Sequence, residues 1–153
     1  MISAEIAVVA QFYDLDPMKV VWHGNYARYL EQARCALLEK LGYSYPEMEQ
    51  SGYVWPIVDL RIKYVRPVRY SQRIRVEAQL VEYENRLKIA YVCRDDTSGE
   101  IVTKAQTVQL AVKIDTQELR MESPLVLAPQ ESMPRQEPHS KGVPMLFAGQ
   151  TLL

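Results

Sequence analysis

Three observations in the 153-residue chain predict an α+β domain. One segment carries a single apolar stripe at helical spacing. Several later segments alternate apolar and polar residues with a period of two. The helix precedes the run of strands instead of alternating with them, an order that belongs to α+β rather than βαβ architecture. The length suits one domain, able to bury roughly 70% of its unfolded surface. Hydrophobic residues at 48% and charged residues at 24% are ordinary globular values, so the composition does not indicate disorder.

Charge and cysteine content exclude several classes. A formal net charge of -1 argues against a generic nucleic-acid binder, which carries a clear basic excess. Cys35 and Cys93 are the two cysteines, with no CxxC pair, so neither zinc nor a disulfide framework is suggested. Both fall in segments that read as regular structure, where a buried free thiol is expected. The N-terminus lacks a positively charged start and Glu5 interrupts its apolar stretch, against a secretory signal. No run reaches the length of a membrane span. A cytoplasmic setting without nucleic-acid or membrane partners is the expectation.

In chain order, residues 2–12 are apolar and partly β-branched, which predicts a first strand. Asp14 and Asp16 follow in an acid loop, and Pro17 pushes Asp16 toward extended backbone. Gly24 or Asn25 starts the helix, Asn being among the best N-caps. Tyr26, Leu30, Ala33, Leu37 and Leu41 then recur at steps of four, three, four and four, while Arg28, Glu31, Gln32, Arg34, Glu39 and Lys40 take other faces. Gly42 stands where a C′ glycine ends a helix. Roughly 17 residues at 1.5 Å rise make a helix about 25 Å long.

Residues 43–52 read as a connection with a short helical turn near Glu47. Leu60, Ile62 and Tyr64 then alternate with Arg61 and Lys63. Ile74, Val76, Ala78 and Leu80 alternate with Arg73, Arg75, Glu77 and Gln79, and Leu87, Ile89, Tyr91 and Cys93 with Lys88, Ala90, Val92 and Arg94. Pro67 implies a bulge or a sheet edge. Glu84 and Asn85 mark a tight hairpin, and residues 95–99 (DDTSG) a turn. The last strand, residues 101–114, changes phase between Ala105 and Val108, as at a bulge. Four consecutive antiparallel strands are therefore expected after the helix.

A composition shift divides the chain into residues 1–123, the folded domain, and residues 124–153, a tail with five of the nine prolines. That tail is read as extended, ordered only by docking its apolar end, VPMLFAGQTLL, on a neighbour.

An acid loop feeding a helix N-terminus carries chemistry. The first-turn N–H groups and the positive end of the helix dipole lie near a carboxylate, which sets a nucleophile or base beside a place for developing negative charge. By spacing alone Asp16 is more simply a loop or capping acid. The residues Tyr13-Asp14-Leu15-Asp16-Pro17, Val20-Val21-Trp22-His23 and Asn25-Tyr26, with Glu31, Ala33, Arg34, Tyr64, Pro67 and Val76, resemble the signature of the 4-hydroxybenzoyl-CoA thioesterase family over roughly residues 5–120. That resemblance implies a hotdog fold, a curved antiparallel sheet wrapped around one long central helix. It implies that Asp16 is the catalytic carboxylate, as nucleophile or general base, and that the backbone N–H of His23 polarises the thioester carbonyl. It further implies a homodimer with sites at the interface, paired again into a homotetramer, and no metal or redox cofactor. One departure is that many members carry glycine where this chain has Lys19.

Around this centre, Trp22, Gly24 and Tyr26 are expected to line the substrate site, and Asp14 to be a structural turn acid. Arg61, Lys63, Arg66, Arg69, Arg73 and Arg75 form a cationic stretch with no acid between Leu60 and Val76. On exposed strands this is usually a solvated face. It would also suit the phosphates of coenzyme A or the acidic surface of an acyl carrier protein, with Arg66, Arg69, Arg86 and Lys88 as the candidate contacts. The predicted activity is hydrolysis of an acyl-CoA or acyl-carrier-protein thioester. The alternatives are a non-catalytic acyl-binding or assembly module, in which Asp16 is dispensable, and a hydratase or dehydratase, whose histidine His139 does not supply in a matching motif.

Overall fold

The structure, a computed structural model, describes residues 2–121 and residue 124. The reading of residues 124–153 as a tail, and His139 with it, therefore lies outside the described residues, Pro124 excepted. In chain order the elements are β1 (Ser3–Val9), single 3-10 turns at Phe12–Asp14 and His23–Asn25, α1 (Tyr26–Lys40), α2 (Tyr45–Glu49), β2 (Tyr53–Val54), β3 (Ile57–Tyr64), β4 (Arg73–Glu82), β5 (Leu87–Asp95), β6 (Ile101–Gln109) and β7 (Val112–Lys113).

The predicted period-two strands all form, and in β4 and β5 the apolar set faces the core, whereas Leu60 and Tyr64 of β3 stay exposed. Ile74, Val76, Ala78 and Leu80 of β4 and Leu87, Ile89, Tyr91 and Cys93 of β5 are all buried. They make a floor on which α1 lies, packed chiefly against β1 and β4. The helix ends as expected, with Gly42 at φ +73, a backbone geometry that costs a residue with a Cβ more than it costs glycine. Its buried arc is wider than the predicted stripe, because Tyr29, Arg34 and Leu38 join it. Arg34, assigned to another face from spacing, is buried. Its guanidinium donates to the Tyr45 hydroxyl at 3.0 Å and the Tyr91 hydroxyl at 3.4 Å, and Glu31 lies 3.6 Å away. Those partners let a cation go inside.

The five-stranded sheet runs β1-β4-β5-β6-β3, every adjacent pair antiparallel. The strands after the helix are thus not paired in simple succession. β4 pairs back to β1, and β3 crosses over to lie outside β6 as an edge strand, ending before Pro67. The expected single strand over residues 101–114 is instead two, β6 and β7. Its phase change reflects burial on both sides, for Val102 and Thr103, and again Thr107 and Val108, are neighbours that are all buried. β7 leaves the main sheet to pair with β2. Along the outer strand, Ile57, Val58, Leu60 and Tyr64 remain 40–53% exposed, an apolar edge of the kind that solitary sheets avoid. Cys93 is buried and Cys35 half-buried, both as free thiols.

Candidate active site

The acid loop is a tight turn closed on itself. The Asp16 N–H donates to the Val20 carbonyl and the Lys19 N–H to the Asp16 carbonyl, both at 2.9 Å. Asp16 Oδ1 accepts the Met18 N–H at 2.8 Å and the Val20 N–H at 3.5 Å. Its other oxygen, Oδ2, has no protein partner among the described residues. The turn carries Lys19 at φ +64, left-handed backbone that favours glycine. The Val21 N–H donates to the Val68 carbonyl at 2.8 Å, and an isolated bridge joins Val20 to Arg69. The loop is thereby pinned to the segment entering β4.

The chain then enters the helix through the His23–Asn25 turn. Asn25 is αR and its side chain makes no cap bond to the helix, contrary to the N-cap role that composition suggests. Its N–H instead donates to the Trp22 carbonyl at 2.9 Å. Since the Trp22–His23 peptide is planar and trans, the His23 N–H points the opposite way. Neither it nor the Gly24 N–H has an acceptor among the described residues, as first-turn amides lack intrahelical partners. The Trp22 indole lies directly across Gly24, so that a Cβ there would run into its ring atoms. Close approach, not unusual φ, is why glycine stands here.

A cavity of 280 Å³ brings these parts together: Asp16, His23, Tyr26, Tyr64 and Arg66 line it, with Met18, Val20 and Val21 among its apolar walls. Tyr26 is buried, edge-on to Tyr64 with ring centroids 5.1 Å apart. Burial pushes its hydroxyl up to about 12, so it stays protonated at neutral pH. Tyr64 reaches in from the edge strand, and its hydroxyl donates to the His23 carbonyl at 2.9 Å. Sequence reading gave Tyr64 only as part of the family pattern; its contact with His23 spans 41 residues and leaves no local signal. Asp14 is buried and bonded on both carboxylate oxygens, in keeping with a structural acid.

The cationic candidates separate. Arg66 stands at the cavity mouth, 3.7 Å from Glu100, and Arg69 is exposed beside the acid loop. Arg86 bonds Glu82 at 2.6 Å and Lys88 lies opposite Glu82 and Val108. Val108 and Thr103, the latter opposite Tyr64, are five positions apart on β6, about 17 Å. Within one chain Arg86 and Lys88 therefore lie at the far end of the sheet from Asp16. Much of the cationic stretch is neutralised: Arg73 and Arg75 each meet Asp96, distant in sequence, at 3.2 Å, and Arg61 meets its strand neighbour Asp59 at 3.2 Å. A second, apolar hollow of 540 Å³ lies beyond the start of β3, walled by Tyr45, Met48, Tyr53, Trp55, Pro56 and Ile114.

The sequence and the fold both have counterparts among known proteins. The profile of the thioesterase-like superfamily matches residues 10–141. The chain belongs to that superfamily. YneP of Bacillus subtilis (strain 168), named as a candidate acyl-CoA thioesterase, is 31% identical over 106 residues, covering 69% of this chain and 76% of that one. The crystal structure of a DHNA-CoA thioesterase from Staphylococcus aureus superposes with a TM-score of 0.73 at 31% identity, over 79% of this chain and 81% of that chain. An Asp-to-Asn variant of 4-hydroxybenzoyl-CoA thioesterase, solved with 4-hydroxybenzoyl-CoA, shares the fold with a TM-score of 0.72 at 23% identity, over 82% and 95% of the two chains. The protein is thus a thioester hydrolase of the hotdog fold, as the resemblance in the acid loop implied.

Proposed function

We propose that the protein hydrolyses an acyl-CoA thioester with Asp16 as the catalytic carboxylate and the His23 N–H as the oxyanion donor. The observation that carries this reading is that Asp16, with Oδ2 unpaired, and the first turn of α1 line one cavity. A thioester carbonyl oxygen set against the His23–Gly24 amides would gain hydrogen bonds as negative charge develops on it. Either Asp16 attacks the carbonyl carbon, giving an acyl-aspartyl anhydride that water then opens, or it takes a proton from the attacking water. In both routes the C–S bond breaks, the acyl group leaves as the free acid, and the sulfur leaves as thiolate and takes up a proton. Tyr26 lines the reacting end and Arg66 its wall; Trp22 and Gly24 act through His23, which they flank, and Arg69, outside the cavity lining, is assigned with Arg66 to phosphates of the carrier.

The exposed apolar edge of β3 supports a homodimer, with a homotetramer as its pairing. Antiparallel pairing of β3 with its own copy about a twofold axis would bring the Ile57 end of one strand beside the Tyr64 end of the other. The Asp16 cavity of one protomer would then adjoin the apolar hollow of its mate, and the 540 Å³ hollow would accept the acyl group. Among the described residues no helix is long and apolar enough to cross a membrane, and a cytoplasmic setting fits two free thiols.

Thiol release from matched acyl-CoA and acyl-carrier-protein thioesters tests the proposal. Faster turnover of CoA thioesters, with preference for aryl or medium-length apolar acyl groups, is expected. Release only from carrier-protein thioesters would contradict the carrier assignment, and acyl-thioester binding without thiol release would leave a binding module.

A further inference from the structure

Asp14 precedes the catalytic candidate by two residues, is 2% exposed, and connects more of the site than any other residue. On its carboxylate side, Oδ2 accepts the Tyr29 hydroxyl at 2.8 Å and the Gln11 N–H at 2.9 Å, and Oδ1 accepts the Arg28 guanidinium at 2.6 Å. Tyr29 and Arg28 belong to the first turn of α1. On its backbone side, the Asp14 carbonyl accepts the Trp22 N–H at 2.9 Å and the Asn25 side-chain amide at 2.8 Å. Those two donors flank His23. The acid loop is thus tied at one residue both to the helix and to the turn that presents the His23 amide.

Asn25 shows what this arrangement favours. At a helix start its amide oxygen would ordinarily accept a first-turn N–H. Here the side chain is turned away from the helix and donates to the Asp14 carbonyl, while its own N–H holds the Trp22 carbonyl. The second bond orients the His23 peptide plane, and the first fixes that plane's distance from the loop. We propose that Asp14 and Asn25 are positioning residues that hold the Asp16 carboxylate and the His23 N–H at one separation for attack on the thioester carbonyl. The proposal rests on the roles assigned to Asp16 and His23 under Proposed function. Proton transfer or attack at one end and charge stabilisation at the other act on the same carbonyl, so small changes in their spacing are felt in the chemical step.

The test is Asn25→Ser, which keeps a residue favourable at a helix start but cannot reach the Asp14 carbonyl. Arg28→Ala, removing a side chain that is 57% exposed, probes the other side of the clamp without opening the core. Each is measured for kcat, KM and melting temperature alongside Asp16→Asn and the Asn25→Ser/Asp16→Asn double variant. The clamp predicts a kcat roughly tenfold lower in Asn25→Ser with KM within about twofold, a melting temperature within about 3 °C of wild type, and little further loss in the double variant. Arg28→Ala moves in the same direction by less. Wild-type kcat in both clamp variants, with Asp16→Asn impaired, overturns the clamp and leaves the site reading intact. A loss in Asn25→Ser that tracks melting temperature and adds fully to that of Asp16→Asn shows a merely structural role and overturns it too. Wild-type turnover by Asp16→Asn removes the site reading and the clamp with it.

Discussion

The Tyr64 hydroxyl donates to the His23 carbonyl at 2.9 Å, tying the outer strand of the sheet to the turn from which the helix springs. The same ring packs edge-on to Tyr26, so the strand is joined to the site at two points. Tyr64→Phe keeps the ring contact and removes only the donor. Because Tyr64 is 47% exposed, stability should change by less than about 1 kcal/mol, whereas kcat/KM should fall roughly 3- to 30-fold as the turn loosens. Paired denaturation and steady-state kinetics separate the two effects.

Lys19 holds left-handed backbone at φ +64, about 1 kcal/mol or more above its ordinary conformation. Glycine removes that strain but loses more entropy on folding, about 0.5–1 kcal/mol. Lys19→Gly should therefore leave stability within about 1 kcal/mol of wild type, and Lys19→Val, β-branched and poorly suited to φ > 0, should cost about 1–2 kcal/mol. Urea denaturation midpoints check both values.

Gly24 lies beneath the Trp22 indole. A methyl group in Gly24→Ala displaces the ring, which also lies tilted against His23 with centroids 5.1 Å apart. The expected outcome is a changed tryptophan emission, readable because Trp55 is the only other tryptophan, together with a fall in thioesterase activity of tenfold or so. Unchanged emission would place the indole elsewhere.

Burial raises the Cys93 thiol from an ordinary value near 9.0 to about 12, and the hydroxyls of Tyr26 and Tyr43 from 10.0 to about 12. In each case the folded protein holds its proton to higher pH than the unfolded chain does. Unfolding is therefore accompanied by proton release above about pH 9, and stability falls with rising pH from there toward 12. Melting temperatures measured between pH 8 and 11 should decline steadily, and Cys93→Ala should flatten the earliest part of that decline.

The fold was legible in the sequence wherever one face of an element is wholly apolar. Ile74 to Leu80 alternate apolar and polar residues without interruption, burial alternates along Leu87 to Cys93, and Gly42 ends the helix where expected. It was not legible where polar groups go inside. Thr103, Thr107 and Gln109 on β6 are buried, and the Tyr91 hydroxyl bonds the Thr107 hydroxyl at 2.8 Å, so hydropathy alone merged β6 with β7. Arg34 escaped for the same reason, since its tyrosine partners come from α2 and β5. The crossover that makes β3 an outer strand depends on which strand β1 joins, a non-local choice that alternation does not encode. For the site, the loop from Asp14 to Tyr26 could be read because its residues are contiguous. Tyr64 contributes through a contact 41 residues away, and Asp96, which neutralises Arg73 and Arg75, lies in another segment, so part of a cationic stretch in sequence becomes paired charge in three dimensions.

Asp16→Asn keeps the size and polarity of the side chain and removes its negative charge, and the bond from the Met18 N–H can still be accepted by the amide oxygen. Thiol release from the preferred acyl-CoA substrate, followed with wild type and this variant at matched melting temperature, should show kcat reduced by roughly a hundredfold or more. Equal turnover by the two folded proteins would contradict the assignment of Asp16 as the catalytic carboxylate.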